Sequence, residues 1–293
     1  MAVETNLTVD FVKAQSIDFV EQYGKQLNSL FTMLQLQRKT PMPAGAKIQT
    51  YKSSVTLDGT KVEKGDVIPL SKVKMTLGDP IELTFDKKRK AVAVEDVQKY
   101  GFDRAIAMTD DLLLRELQKD LRKKFFAQLA KGTGKAEGVG LQGAVAQAWG
   151  AVQTAFEDDA VSTIAFANPQ DLADYLANAQ VSMQTAFGLN YIENFLGVRV
   201  MALSSLVPKG KIYATDADNL CFAYAQVTGG SEVGKAFDFT TDSTGVIGVT
   251  RNINKERLTA ETVTFSGTAL YAERLDGVIV VTVKAPSASG VGA

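Results

Sequence analysis

The stretch Asp103 to Lys131, DRAIAMTDDLLLRELQKDLRKKFFAQLAK, carries the strongest local signal in the chain. Ile106, Ala107, Asp110, Leu113, Leu114, Leu117, Leu121, Phe125 and Leu129 recur at intervals of three and four. Arg115, Glu116, Lys119, Asp120, Arg122, Lys123 and Lys124 fill the opposite side. This is the pattern of a two-faced helix, and at 1.5 Å per residue it would run for about 43 Å, the width of a small domain. Asp110 and Asp111 lie in its first half and Lys119 to Lys124 in its second, in keeping with the helix dipole. Gly132 and Gly134 then end it.

Upstream of this helix, Ala46 to Thr84 is rich in Thr, Val and Lys, with turn signals at Asp58-Gly59, Lys64-Gly65-Asp66 and Gly78-Asp79-Pro80. It predicts a long hairpin. One strand face, Ile48, Thr50, Lys52, Ser54 and Thr56, is as polar as the other, Gln49, Tyr51, Ser53, Val55 and Leu57. Such a hairpin builds no core and must be held from outside. Before it, Thr8 to Gln37 predicts an amphipathic helix with Val12, Ser16, Val20, Tyr23, Leu27, Leu30 and Leu34 in its stripe. Thr8 and Asp10 stand at its start, Gly24 weakens its middle, and the break Arg38 to Pro43 stops it, so the segment reads as an arm docked on another subunit.

Downstream, helix and strand alternate. Helices are expected over Ala144 to Asp158 and Pro169 to Gln180, the latter capped by Asn168, and strands over Val161 to Ala167 and Gly197 to Leu203. Further strands are expected over Ile212 to Thr215, Leu220 to Val227, Val246 to Asn252, Leu258 to Ala272 and Val278 to Val283. The tail Pro286 to Ala293, rich in Ser, Gly and Ala, is expected to fray. No internal repeat is evident.

Composition narrows the chemistry. The 293 residues are 45% hydrophobic and 22% charged, ordinary for a globular protein with a real core. The absence of His removes the commonest neutral-pH base and metal ligand, and with it most hydrolase and metalloenzyme readings. The lone Cys221, set in an apolar strand, forms no intramolecular disulfide and reads as a buried structural thiol. A net charge of -1 argues against coating nucleic acid by counterion release. The start lacks a basic, apolar leader and no apolar run is long enough to span a membrane, so the sequence reads as a soluble protein kept inside a cell.

Gly138-Val139-Gly140-Leu141-Gln142-Gly143 matches a dinucleotide-binding fingerprint, the basis of a nucleotide-dependent oxidoreductase reading. It is expected to be a flexible glycine linker, since it follows a helix and the polar stretch Lys131 to Glu137 rather than a buried strand. Gly132-Thr133-Gly134-Lys135-Ala136 fails as a phosphate loop, because Ala136 stands where Ser or Thr is needed. The pairs Asp110 with Asp111, Asp158 with Asp159 and Asp216 with Asp218 read as caps and turns. The run Asp86-Lys87-Lys88-Arg89-Lys90 reads as a solvated turn or an intersubunit salt-bridge site, and Trp149 and Phe125-Phe126 as core. No catalytic, cofactor-binding or metal site is assigned.

In this order of parts the chain resembles the major capsid protein of tailed bacteriophages, with its α+β Hong Kong 97 fold. The likeness is carried by the hairpin Ala46 to Thr84, the helix Asp103 to Lys131, the stretch Thr163 to Asp171 leading into Tyr175-Leu176, and the ending Ala269 to Val281. The resemblance implies an N-terminal arm (1–45), an extended E-loop (46–84), a peripheral P-domain with a spine helix (85–135 and 252–285), an axial A-domain (136–251) and a flexible tail (286–293). It implies a non-enzymatic shell subunit, without cofactor, that builds hexamers and pentamers of an icosahedral virion around double-stranded DNA. Asp58, Lys61, Lys64, Asp66, Lys72 and Lys74 would be the intersubunit residues of the E-loop.

The expected partners are further copies of the chain, a portal, weakly contacted DNA and no membrane, with assembly in the host cytoplasm. Because the hairpin is reached by Ala46, a separate scaffolding protein, or none, is expected. Some relatives cross-link a hairpin Lys to a neighbour's Asn; Lys61 and Lys64 would be the donors and Asn252 or Asn254 the acceptors, but such cross-links are not expected here. The closest rival is an encapsulin-type nanocompartment shell. A tail-tube protein would not need the long helix.

Overall fold

The computed structural model describes residues 7–56, 72–157, 161–176, 182–228 and 232–285. In chain order it runs α1 (Leu7–Met33), β1 (Arg38–Met42), β2 (Lys47–Thr56), β3 (Lys72–Glu82), β4 (Asp86–Ala93), α2 (Val94–Tyr100) and α3 (Phe102–Leu129). There follow β5 (Gly134–Val139), α4 (Gly140–Ala155), β6 (Thr163–Ala167), α5 (Pro169–Leu176), β7 (Gln184–Ala186), β8 (Leu189–Phe195), β9 (Val198–Leu203) and β10 (Lys211–Asp216). The chain closes with β11 (Leu220–Ala225), α6 (Glu232–Ala236), β12 (Thr240–Thr241), β13 (Ile247–Asn254), β14 (Thr259–Ser266), β15 (Thr268–Ala272) and β16 (Ile279–Lys284).

The spine helix α3 is the axis of the packing. Leu114, Leu117, Leu121, Phe125 and Leu129 turn inward into the main core, where α1 joins them through Phe19, Tyr23, Leu27, Leu30 and Leu34. Phe125 and Phe126 stand edge-on to Phe166 of β6, with ring centroids 5.3 and 5.4 Å away, so both rings are core. Buried Gln128 grips β15: its Nε2 donates to the Ala272 carbonyl and its Oε1 accepts from the Ala272 N–H, both at 3.1 Å. The helix ends where Gly132 passes Val278, since a Cβ there would meet Val278 Cγ1 at 2.6 Å.

A seven-stranded sheet of order β5-β16-β10-β6-β9-β8-β7 has α4 packed on it through Ala144, Val145, Ala148 and Val152. The run Thr163 to Ala167 is buried at every position, as a central strand covered on both faces must be. A three-stranded sheet, β1-β11-β15, and a four-stranded sheet, β12-β13-β14-β4, lie along α1 and α3, while β2 and β3 form a sheet of their own.

Several expectations are corrected. Leu258 to Ala272 is two strands in two sheets, divided at Gly267, where a Cβ would lie only 3.0 Å from Ala225 Cβ. The segment expected to dock as an arm on another subunit is α1, whose apolar stripe is buried in this subunit's own core, and Arg38 to Met42 is not a bare break but β1, parallel to β11. The stretch read as a glycine linker is the parallel strand β5 followed by α4, which starts at Gly140 rather than Ala144. The β7–β8 hairpin was not foreseen, since its tight turn is Phe187-Gly188, both at positive φ, rather than an Asn-Gly pair. The expected frayed tail, the pair Asp158 and Asp159, and the end of the helix toward Gln180 lie outside the described residues.

Candidate assembly surfaces

Among the described residues, the hairpin is anchored at its base. Ile48 and Leu83 are buried against Cys221, Ala223, Ala225, Ala269 and Tyr271 of the three-stranded sheet. Just beyond, the ladder slips between Gln49 and Tyr51, Thr50 is buried, and Gly78 comes so close that a Cβ would lie 2.5 Å from Thr50 Oγ1. Gln49 Nε2 donates to the Gly78 carbonyl across this bulge. Past it, Thr76 and Lys72 are exposed, and Leu77 stands 66% exposed. Of the E-loop residues named above, Lys72 pairs with Thr56 and Lys74 with Ser54, whereas Asp58, Lys61, Lys64 and Asp66 lie outside the described residues. Asn252 and Asn254 sit on β13, in a different sheet from the hairpin.

The cationic run 87–90 is corrected here: it is not a turn but most of β4, and three of its four cations pair within the subunit. Lys88 meets Asp120 at 2.5 Å, Lys124 meets Asp86 at 2.5 Å, and Arg89 meets Glu261 at 2.5 Å. Lys90 reaches Asp110 at 2.5 Å, and Arg251, almost fully buried, holds the other oxygen of Asp110 at 2.7 Å. The same guanidinium donates to the Gln15 carbonyl at 3.2 Å, tying α1 to α3 and β13. Burial pushes the Lys90 amine below its ordinary range, opposed by its bond to Asp110. The strand's alternation, inward at Asp86, Lys88, Lys90 and Val92, could have revealed this layer.

Two further surfaces stand out. A groove of about 650 Å³ opens between α1, α3 and the β7–β8 turn, lined by Gln22, Gln26, Asp111, Arg115, Lys119 and Arg122 among others. The second is the outer face of α4, a sixteen-residue helix without a charged side chain. Trp149 is no core residue: it is 42% exposed and lies on Gly197, which follows Leu196, itself 43% exposed. Asp216 and Asp218 are the expected turn, with Asp216 accepting from the N–H groups of Ser162 and Asp218. Cys221 is a buried free thiol, pushed up by burial. Among the described residues no acidic or sulfur cluster could hold a metal, and no helix is long and apolar enough to cross a membrane.

Comparison with solved structures matches this arrangement over nearly the whole chain. A structure from Microbacterium phage Oxtober96 aligns with a TM-score of 0.55 at 14% identity, covering 86% of this chain and 90% of that one. The capsid of Cyanophage P-SCSP1u aligns at 0.51 and 11% identity, covering 87% and 88%. The chain has the Hong Kong 97-type capsid fold. The SrpI encapsulin from Synechococcus elongatus PCC 7942 shares this capsid fold at 0.50 and 13% identity, covering 86% of each chain. No protein-family profile matches the sequence, and no curated protein sequence does. The resemblance drawn from the sequence therefore holds at the level of fold, with α3 as the spine helix and β2–β3 as the extended hairpin.

Proposed function

We propose that this chain is the non-enzymatic major capsid protein of a tailed phage, assembling as hexamers and pentamers into an icosahedral head around double-stranded DNA. The observation that carries the reading is the hairpin: on a capsid fold, a two-stranded sheet that among the described residues is anchored at its base has no use within its own subunit. In this reading 46–84 is an E-loop that lies on a neighbour, with Asp58, Lys61, Lys64, Asp66, Lys72 and Lys74 as its contacts. Residues 1–45 are the arm. Residues 85–135 and 252–285 form the peripheral domain, and 136–251 the axial domain, into whose sheet β16 is inserted. Scaffolding protein and portal are the further partners, and the virion, built in the host cytoplasm, is the site of action.

Negative-stain microscopy of the purified protein tests it. Closed shells or hexameric and pentameric rings are the expected result, whereas a monomer that never assembles, even with a scaffolding partner, would sink the proposal. An encapsulin-type shell is the second reading, favoured by the match to an encapsulin and by the groove between α1 and α3, which has room for a peptide. A co-purifying enzyme inside the shells, in place of DNA, would select it.

A further inference from the structure

We infer that β5 is a self-complementary edge strand that pairs antiparallel with β5 of a second copy of this chain about a two-fold axis at Ala136. The contact is read from β5 itself and does not depend on the shell reading. Among the described residues, β5 ends the seven-stranded sheet and is bonded on one side only, parallel to β16. Gly134 N–H donates to the Val278 carbonyl at 3.1 Å, so the backbone groups of Gly134, Ala136 and Gly138 turn toward β16. Those of Lys135, Glu137 and Val139 turn outward, and these three residues are exposed.

An antiparallel pair centred on Ala136 places Lys135 opposite Glu137 of the second copy, and Glu137 opposite its Lys135. Both are positions where outward N–H and C=O groups meet, so each residue pair exchanges two backbone hydrogen bonds. The opposed side chains project from the same face and carry opposite charge. Lys284 of β16 already pairs with Glu137 and would extend that arrangement into a small network.

The remaining sheet edges are blunted. β1 carries Pro41, β7 and β12 are three and two residues long, and β15 has its Ala272 backbone bonded to Gln128. β4 opposes any copy of itself with Lys87, Lys88, Arg89 and Lys90. Outside the hairpin, among the described residues, β5 alone combines an open edge of six residues with no Pro and balanced charge. Its charge pattern leaves self-pairing unopposed.

The test joins hydrogen exchange to a charge swap in the full-length protein. In the associated wild type, the amides of Lys135 and Glu137 are expected to exchange slowly. Lys135→Glu or Glu137→Lys alone, which puts like charges opposite at both symmetry-related pairs, should weaken self-association on the order of tenfold, and the double swap should restore it. Glu137→Pro is a second probe: its lost N–H faces away from β16, so the subunit should keep its melting temperature while the pairing is abolished. Fast exchange at these two amides in associated protein, or single and double variants that associate alike, would overturn the inference. Shells with an unprotected β5 would remove this contact and leave the capsid reading standing; two-fold dimers with a protected β5 that never form shells would do the reverse.

Discussion

Arg251 shows how much a single side chain holds in this subunit. Its guanidinium is 3% exposed and joins Asp110 of the spine helix, Gln15 of α1 and, through Asp110, Lys90 of β4. Arg251→Ala would leave a buried carboxylate with one partner and α1 without its tie, and is expected to cost about 3–5 kcal/mol in denaturant unfolding. Lys119→Ala removes an exposed pair with Glu116 and should cost less than about 0.5 kcal/mol. Buried phenols bear on stability at alkaline pH, Tyr271 and Tyr23 above all. Burial, with Cys221 and Glu273 adding to it, pushes Tyr271 from 10 up to about 12, and burial beside Asp86 pushes Tyr23 up as well. A raised folded pKa means the native state keeps the proton longer than the unfolded chain, so this stability is full below pH 10 and is lost as pH rises through 12. Unfolding monitored by phenolate absorbance should therefore begin above pH 10, and Tyr271→Phe should move its midpoint upward.

Among the elements, the join of β5 to α4 is the most exacting. A Cβ on Gly138 would lie 2.4 Å from the Cα and N of Ala144, so backbone rather than a flexible side chain stands in the way. Gly138→Ala should force α4 off the sheet and lower stability by about 1–3 kcal/mol, measurable as a shift in melting temperature. The glycines of this stretch were visible in the sequence as a nucleotide fingerprint; the structure gives Gly138 a packing reason instead. The spine helix was legible because a long period of three and four residues survives any tertiary context. β4 was not, because a run of four cations reads as a solvated turn until the acidic side of α3 is seen to face it. Trp149 misled for the converse reason: large aromatics are usually buried, and only the placement of α4 shows that this one looks outward.

At the level of the whole molecule, the proposed shell reading makes folding and assembly separable. Among the described residues the hairpin meets the core through its base, so removing Asp58 to Lys74 should leave a soluble subunit with a melting temperature near that of the wild type that makes no shells. A deletion variant that aggregates or unfolds would place the hairpin in the core and contradict this architecture. Local pattern was sufficient for the long helices, the polar hairpin and the order of parts that resembles a capsid subunit, since each depends on neighbours in sequence. Which strands share a sheet, that Leu258 to Ala272 divides between two of them, that Asp86, Lys88 and Lys90 of β4 meet charges of α3, and that β5 lies at a sheet edge were settled only when the chain closed on itself. Those features depend on contacts between residues far apart in sequence, such as Lys88 with Asp120 and Arg251 with Gln15, and no local periodicity encodes them.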